Sequence, residues 1–486
     1  MGAALLALFL GAMDALIMSA AMPTIVADLG GLHLYSWVYS TYFLSRAVSL
    51  PIFGKLADTY RTKTLFMVSI GLFVVSSVFA GASPNMAFLV AARVFQGIGA
   101  GGNFALVYIA LADVSEPEKR GRAMSFASFI WGLASVLGPT LGGVIVTWTS
   151  WRWIFFLNVP LGLASLAGIS LYLVETREKK TAVSLDLWGA FTLSATILAF
   201  LTALMMGGRT YGWGSGPILG LLALAAVAGA GFYEAEKRAA DPILSLRFFT
   251  IRGFAAGNGA VFFSSFAIFS LFAFGPLFIQ GALGKSPVQV GVAMLWLSLG
   301  WSLGSIALGP FVDRMGGKIS AVSGAGFLIA GSAITLTFTL QTSMATCSAV
   351  FFVIGIGMGF VTLSTLVEVQ NSVGITDLGV ATASNQFART LGGTVGIGVC
   401  GSLVFGRLHQ AMETLTGLPS GLADTLRQNL ETLFQPAMQA GFSEPVRRVL
   451  QGAVVDGVSA VFWVVSAAGL LCLAFCLMLP GRRFQP

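Results

Sequence analysis

The chain contains 486 residues, of which 56% are hydrophobic and only 10% are charged, and its formal net charge is +7 at pH 7. Soluble domains carry roughly a quarter charged residues, so this composition excludes an ordinary soluble enzyme or binding domain. Apolar runs of about 20 residues, the length that crosses the core of a bilayer, recur along the chain. Backbone polar groups in lipid must be satisfied within each segment, so the predicted fold class is an all-α polytopic membrane protein.

The apolar runs predict about fourteen transmembrane helices in chain order. An internal repeat relates the first six to the last six, which leaves the seventh and eighth as an inserted pair. We therefore predict an N-terminal six-helix bundle in residues 1–175, two inserted helices with linkers in 176–240, and a C-terminal six-helix bundle in 241–486. The predicted helices are centred near Leu16, Leu44, Val74, Gly101, Val136, Leu163, Ser194, Ala225, Phe266, Leu299, Ile329, Gly357, Gly392 and Leu470.

The repeat is visible in two loops that follow predicted helices. GKLADTYRTK (Gly54–Lys63) and GPFVDRMGGK (Gly309–Lys318) each place an Asp four residues after a Gly and then add basic residues. Two further pairs keep nearly the same offset: GIGAG at 97–101 with GIGMG at 355–359, and GPTLGG at 138–143 with GGTVG at 392–396. Repeated halves in an apolar chain are typical of transporters, because related bundles can rock about a shared central site.

Lys and Arg residues in the connections predict the orientation of the chain. Most of them lie on one side of the membrane if the N-terminus is cytoplasmic, which places both termini inside. The net positive charge is then explained by topology and requires no nucleic-acid partner. The only long polar connection, residues 407–456, falls on the extracytoplasmic side. Its segment Leu422–Phe434 has a helical apolar stripe and is either a helix that lies on the bilayer or cavity mouth, or a connector.

Charged residues inside the predicted helices are the strongest indication of function, because burial in lipid is costly unless they are paired or face water. Asp14 lies halfway along the first helix and is expected to exchange a proton for a cationic compound; the alternative is a helix-packing role. Glu368 is a second candidate proton or cation site, or an interfacial residue that reaches water. Arg46 lies in the middle of the second helix. It is expected to pair with Asp14, to contact an anionic or zwitterionic substrate, or to snorkel to the interface.

These motifs resemble the major facilitator superfamily, and specifically its 14-helix drug:proton antiporter branch. The resemblance extends over essentially the whole chain and is carried by the Gly54–Lys63 loop, LVAARVFQGIGAG (Leu89–Gly101), GPTLGG, MDALIMSAAMPTI (Met13–Ile25) and the region from Val369 to Gly393. It implies alternating access, with protons moving inward as a small amphipathic compound, expected to be cationic, moves outward. It also implies a bacterial inner membrane, a monomer, and no cofactor other than the proton gradient.

The resemblance implies roles for three groups of residues. Arg93 is implied in proton coupling, and two cytoplasmic loops act as latches, although Thr59 and Arg61 depart from the family pattern in the first. The helix kink of GPTLGG is implied in antiport. The latch residues are Gly54, Asp58, Arg61, Gly309, Asp313 and Arg314, and the kink residues are Gly138, Pro139, Gly142 and Gly143.

Several other expectations follow from the residue inventory. Large aromatic side chains are candidates to line a broad apolar cavity: Phe43, Trp131, Phe262, Phe266, Trp296 and Trp301. The four cysteines lie in apolar runs without His or acidic neighbours, so no metal site is predicted. Neither a phosphate-binding loop nor a metalloprotease motif is present, so the chain is not expected to be an enzyme or an ATP-driven pump. The main competing function is a proton-coupled exporter of a specific anionic or zwitterionic metabolite.

Overall fold

The computed structural model describes residues 1–29, 34–115, 120–174, 186–208, 211–239, 242–243, 246–285, 287–374, 377–414 and 444–481. Helices dominate these residues, which confirms the predicted all-α fold class. The segment 422–434, predicted as an amphipathic helix or connector, lies outside the described residues.

The N-terminal half consists of α1 to α7, and the helices α8 and α9 follow it. α6 and α7 are continuous enough to form one candidate span, Arg152–Tyr172. α8 and α9, the pair predicted to be inserted, pack against each other. The bounds are α1 Gly2–Leu29, α2 Tyr35–Thr59, α3 Thr62–Gly81, α4 Met86–Asp113, α5 Arg120–Trp148, α6 Arg152–Phe156, α7 Asn158–Tyr172, α8 Leu187–Met206 and α9 Gly216–Arg238.

The C-terminal half begins after a short 3-10 turn at Leu246–Thr250. Its first helix ends in a π-helical turn at Phe278–Ala282. Its helices are α10 Arg252–Leu277, α11 Pro287–Leu308, α12 Val312–Met315, α13 Gly317–Thr335, α14 Met344–Asn371, α15 Leu378–Thr414 and α16 Glu444–Met478. Within the described ranges, 11 helices are long and apolar enough to cross a membrane. Together with α1, α2 and α5, they are consistent with the predicted count of fourteen.

The repeated glycine motifs make equivalent contacts in the two halves. In α4, Gly97 packs on the backbone of α2, and Gly99 packs on α3. In α14, Gly355 packs on the backbone of α11, and Gly357 packs on α13. A Cβ at any of these positions would overlap a neighbouring backbone, so glycine is required for this close approach in both halves.

The two halves meet most extensively along two helix pairs, α2 with α15 and α5 with α11. Gly54 of α2 lies against Ala383 of α15, and Gly132 of α5 lies against Ser302 of α11. Side chains that project from these four helices into the middle of the interface therefore face the opposite half. This arrangement positions the candidate substrate site.

Candidate functional site

Asp14 lies at the centre of a buried polar network inside the N-terminal half. Its Oδ2 accepts a hydrogen bond from Arg93 Nη1 at 2.5 Å, and its Oδ1 accepts hydrogen bonds from Gln96 Nε2 and Asn158 Nδ2, both at 2.9 Å. Ser77 Oγ accepts hydrogen bonds from the same two amide groups. Four helices, α1, α3, α4 and α7, thus contribute side chains to one hydrogen-bonded network around this carboxylate.

Arg93 is held by several groups besides the carboxylate. Its Nη1 also donates to Gln96 Oε1 at 2.7 Å, and its Nε donates to the Val38 carbonyl. The guanidinium carbon lies 4.0 Å from the ring centroid of Tyr42, whose hydroxyl donates to the Gly11 carbonyl. Arg93 and Gln96 are three residues apart on α4, so helical geometry places both on the same side. We name Asp14, Ser77, Arg93, Gln96 and Asn158 the Asp14 network.

The network changes the interpretation of Asp14. Pairing with Arg46 was one of the alternatives that the sequence left open for Asp14, but Arg93 is the ion-pair partner of this carboxylate. The physical reason is position: Arg93 on α4 reaches the α1 carboxylate directly, whereas the guanidinium group of Arg46 lies over the ring of Phe104. Because Arg93 already neutralises the Asp14 carboxylate, this carboxylate no longer gives a reason to expect a cationic substrate.

Arg46 lies in an aromatic environment between the two halves and is only 5% exposed. Its guanidinium carbon lies 3.6 Å from the ring centroid of Phe104 and 5.8 Å from that of Trp131. Among the residues that the structure describes, Arg46 makes no ion pair, and its Nε makes no hydrogen bond.

Arg389 of α15 approaches the same tryptophan from the C-terminal half and is only 4% exposed. Its guanidinium carbon lies 5.7 Å from the ring centroid of Trp131 and 5.4 Å from that of Trp301. No ion pair or hydrogen bond joins Arg389 to another described residue. We name Arg46, Trp131, Trp301 and Arg389 the arginine–tryptophan cluster.

Asp58, at the end of α2, connects the N-terminal half to the C-terminal half. Its Oδ1 accepts a hydrogen bond from the Gly379 amide at 2.8 Å, and its Oδ2 accepts one from the Val380 amide at 2.9 Å. These amides belong to the first turn of α15, where backbone donors have no partner within the helix and the helix dipole favours negative charge. Asp58 therefore caps a helix of the other half.

Packing around Asp58 closes this end of the interface. A Cβ at Gly54 would overlap Ala383, so α2 and α15 touch through their backbones. The apolar core of the N-terminal half continues at this end into residues of the C-terminal half, including Leu308, Val312 and Leu378. The closed end is thus held by both a charge-assisted cap and a continuous apolar contact.

The other predicted latch residues are arranged differently. Arg61 is exposed at the start of α3, and no ion pair joins it to a described residue, so the structure does not bring it into the latch. In the second copy, Gly309 is buried and Arg314 is exposed on the short helix α12. The side chain of Asp313 lies outside those that the structure describes.

The predicted antiporter element lies inside α5, which runs as one helix through GPTLGG. Gly138 is buried against Leu16 of α1, two residues from Asp14 in the chain. Gly142 is also buried, whereas Pro139 and Gly143 lie outside the described side chains. The element thus packs α5 against the helix that carries the buried carboxylate.

The remaining candidates are Glu368, Phe43, Phe266 and Trp296. Glu368 lies near the end of α14, beside Gly253 and Gly317 at the starts of two other helices. Phe43 packs beside Tyr42, and Phe266 lies in the core of the C-terminal half. Trp296 is 42% exposed and lies with Phe352 in an apolar groove of about 650 Å³ between α11 and α14. Its role in a substrate cavity stays a prediction.

Sequence reasoning did not single out Ser77 or Asn158, and it named Trp301 only as one of six aromatic candidates to line an apolar cavity. Asn158 stands as a polar residue in the apolar run of residues 154–169, and that contrast is the signal that indicates a buried hydrogen-bonding role. Ser77 carries no such signal, because serine is common in membrane helices and bonds to its own backbone. Trp301 becomes important only through its distance to Arg389.

Two helical halves, a closed interhelical latch and buried charges inside the membrane spans define a polytopic membrane transporter. The chain matches the family described as the Major Facilitator Superfamily over residues 4–397, and it belongs to that family. It is 32% identical to the multidrug transporter protein MdtP of Bacillus subtilis, with 97% of this chain and 90% of the relative covered.

Other relatives and a solved structure agree with this assignment. The chain is 30% identical to multidrug resistance protein 3 of Bacillus subtilis, covering 96% of this chain and 91% of the relative. It is 30% identical to the efflux pump dotC of Dothistroma septosporum, covering 98% and 83% respectively. The crystal structure of the human organic anion transporter MFSD10 matches with a TM-score of 0.61 at 15% identity, covering 96% of this chain and 98% of that one, which shows the shared fold. The chain is therefore a transporter, not an enzyme, and its relatives are named as drug-efflux proteins.

Proposed function

We propose that this chain is a proton-coupled antiporter that exports small amphipathic compounds by alternating access across a bacterial plasma membrane. The observation that best supports this proposal is the Asp14 network: a fully buried carboxylate, paired with Arg93, inside a membrane transporter whose relatives are named efflux proteins. Ionisable residues at membrane depth are costly and usually mark ion pathways. The chain is proposed to act as a monomer.

The network supports proton coupling through its two charge states. With Asp14 ionised, the carboxylate and Arg93 neutralise each other, and each Asp14 oxygen accepts hydrogen bonds. With Asp14 protonated, the ion pair is lost and Arg93 keeps a net positive charge beside Tyr42 and Gln96. Because α1 also packs against α5 at Gly138, a change in the pair has a route to the interface between halves.

The Asp58 contact supports the alternating-access part of the proposal. It joins the halves at the end that positive-inside topology assigns to the cytoplasm. A closed cytoplasmic end corresponds to a state that faces outward. Breaking and reforming this cap between α2 and α15 supplies one of the two alternating gates.

The test uses everted membrane vesicles in which respiration creates an inward-acid proton gradient, reported by quenching of acridine orange. We expect an added substrate from a panel of amphipathic cations, zwitterions and anions to restore fluorescence in vesicles that contain this chain. Vesicles without the chain give the background, and Asp14→Asn vesicles are expected to lose the response when they are compared at equal amounts of the protein. A response of equal size in Asp14→Asn vesicles would remove the Asp14 network from proton coupling.

A further inference from the structure

We propose that the arginine–tryptophan cluster is the substrate site and that it binds an organic anion with a flat apolar body. The anionic group, a carboxylate or a similar acid, lies between Arg46 and Arg389, and the apolar body lies against Trp131 and Trp301. This inference rests on the proposed function of export, and it fixes the charge of the exported compound.

The first support is the electrostatic imbalance of the cluster. Arg46 and Arg389 are buried, carry like charges that repel each other, and share one tryptophan between them. Arginine remains charged in proteins, so burial does not remove the charge by deprotonation. Asp14, the carboxylate predicted to balance Arg46, is held by Arg93. An anion placed between the two arginines supplies the missing negative charge.

The second support is a group of buried donors without partners in the described part of the chain. Arg46 Nε, Trp131 Nε1 and Trp301 Nε1 make no hydrogen bond there. One helical turn before Arg389, the amide groups of Asn385 and Gln386 are also buried with unpartnered atoms. Buried polar groups are nearly always paired in native proteins, so a concentration of unpaired donors indicates a ligand that accepts hydrogen bonds. Guanidinium groups in particular match the two oxygens of a carboxylate.

The third support is the position of the cluster relative to the moving parts. Arg46 and Trp131 belong to α2 and α5 of the N-terminal half, whereas Trp301 and Arg389 belong to α11 and α15 of the C-terminal half. A ligand that contacts all four is bound by both halves at once. Transporters of this architecture bind substrate at the interface of their repeats, because rocking then exposes the site to each side in turn.

The same features reject cations. A cationic head group would face two unpaired positive charges in a desolvated site, which is unfavourable at short distance. The aromatic faces do not offset this repulsion, because Phe104, Trp131 and Trp301 already lie within reach of the guanidinium groups. The site therefore discriminates by charge, and the aromatic rings contribute affinity for the apolar body.

Binding to the purified full chain in detergent tests this inference without requiring transport. Isothermal titration would use three probes with the same ring system: naphthalene-1-acetate, naphthalene-1-acetamide and 2-(1-naphthyl)ethylamine. We expect naphthalene-1-acetate to bind and the amine not to bind. We also expect Arg46→Gln and Arg389→Gln each to weaken the acetate by roughly tenfold or more, because each removes charge-assisted hydrogen bonds. Arg238→Gln, which removes an exposed arginine, is the matched control and is expected to leave the affinity unchanged.

Two additional arms keep the test decisive. Arg46→Lys retains the charge but loses the planar fork, and we expect it to bind naphthalene-1-acetate more tightly than Arg46→Gln does. This variant keeps the test informative if Arg46→Gln folds poorly. Dioleoylphosphatidylglycerol in mixed micelles offers an anionic lipid as the competing source of the same charge. Displacement of naphthalene-1-acetate by this lipid supports the anion site but assigns its occupant to the membrane. Equal binding of the amine and the acetate, or unchanged acetate affinity in both glutamine variants, would overturn the proposal. Because binding is measured directly, loss of proton coupling in vesicles with intact anion binding would refute the proposed function alone.

Discussion

The structure places three arginines inside the membrane spans in two opposite situations. Arg93 lies within one half, where Asp14, Gln96 and Tyr42 balance its charge and its hydrogen bonds. Arg46 and Arg389 lie between the halves, where aromatic rings surround them and no described carboxylate balances them. An arginine whose charge is balanced within its own half is suited to respond when the charge of its partner changes. A buried arginine that lacks a partner is suited to bind an anionic ligand. Arginine side chains are thus suited to two different roles in this chain, according to whether the neighbouring helices provide a carboxylate.

The burial of both kinds of arginine has different consequences for stability. Removing one partner of a buried ion pair leaves an uncompensated charge and is strongly destabilising. Removing a buried charge that has no partner relieves a desolvation cost. Substitutions in the Asp14–Arg93 pair and substitutions of Arg46 or Arg389 are therefore expected to change the free energy of unfolding in opposite directions. This difference can be measured.

The largest expected effect is that of Asp14→Ala. This change leaves Arg93 buried without its carboxylate, and we expect a loss of about 3–5 kcal/mol in the free energy of unfolding. Denaturant titration of the purified protein in detergent, followed by far-UV circular dichroism, measures the loss. Asp28→Ala removes an exposed partner of Arg152 and is the control, with an expected loss below about 1 kcal/mol. The double variant Asp14→Ala/Arg93→Met is expected to recover most of the stability. A double variant as unstable as Asp14→Ala would contradict the description of a balanced pair.

A smaller effect is expected when one donor of the network is removed. Asn158→Leu takes away hydrogen bonds to Asp14 and Ser77 while keeping a side chain of similar size. We expect a loss of about 1.5–3 kcal/mol, since the remaining donors still hold the carboxylate. The same denaturant titration applies. A loss larger than that of Asp14→Ala would show that the asparagine, not the ion pair, dominates the network.

Asp58→Ala tests a carboxylate that lies between the halves and yet is fully paired. The change removes the cap on the first turn of α15, which is expected to weaken the closed interface by about 1–2 kcal/mol. Spin labels attached at positions 61 and 314, which are exposed on the two halves, report the separation by double electron–electron resonance. We expect a broader distribution shifted to longer distances in the Asp58→Ala protein. An unchanged distribution would show that apolar packing alone keeps this end closed.

The smallest effect is expected at Arg61, which was predicted as a latch residue and lies exposed at the start of α3. Arg61→Ala removes a solvated charge and no described ion pair, so transport in the vesicle assay is expected to remain near that of the unaltered protein. A clear loss of transport would return Arg61 to the latch.

Much of the fold was predictable from the sequence for definite physical reasons. Apolar length gives the helices, and the recurrence of GIGAG and GIGMG indicates equivalent packing that the structure places at Gly97 and Gly355. Position within a span also identified Asp14 and Arg46 as important, and the family resemblance added Arg93. Which arginine pairs with Asp14 was not predictable, because the pairing depends on which face of α2 and α4 turns toward α1. For the same reason, the sequence alone offered Arg46 as one possible partner of Asp14, and it gave no means of bringing Trp301 together with Arg389.

The most direct test of the contrast between the paired Arg93 and the unpaired Arg46 is the unfolding midpoint of Arg46→Met in detergent, measured with and without naphthalene-1-acetate. The account predicts that the variant unfolds at or above the midpoint of the unaltered protein when no ligand is present, because a buried unpaired charge has been replaced by an apolar side chain of similar length. It also predicts that the ligand raises the midpoint of the unaltered protein and not that of the variant. A variant that unfolds at a lower midpoint and is still stabilised by the ligand would contradict the account, since Arg46 would then be a structural residue and not a ligand for an anion.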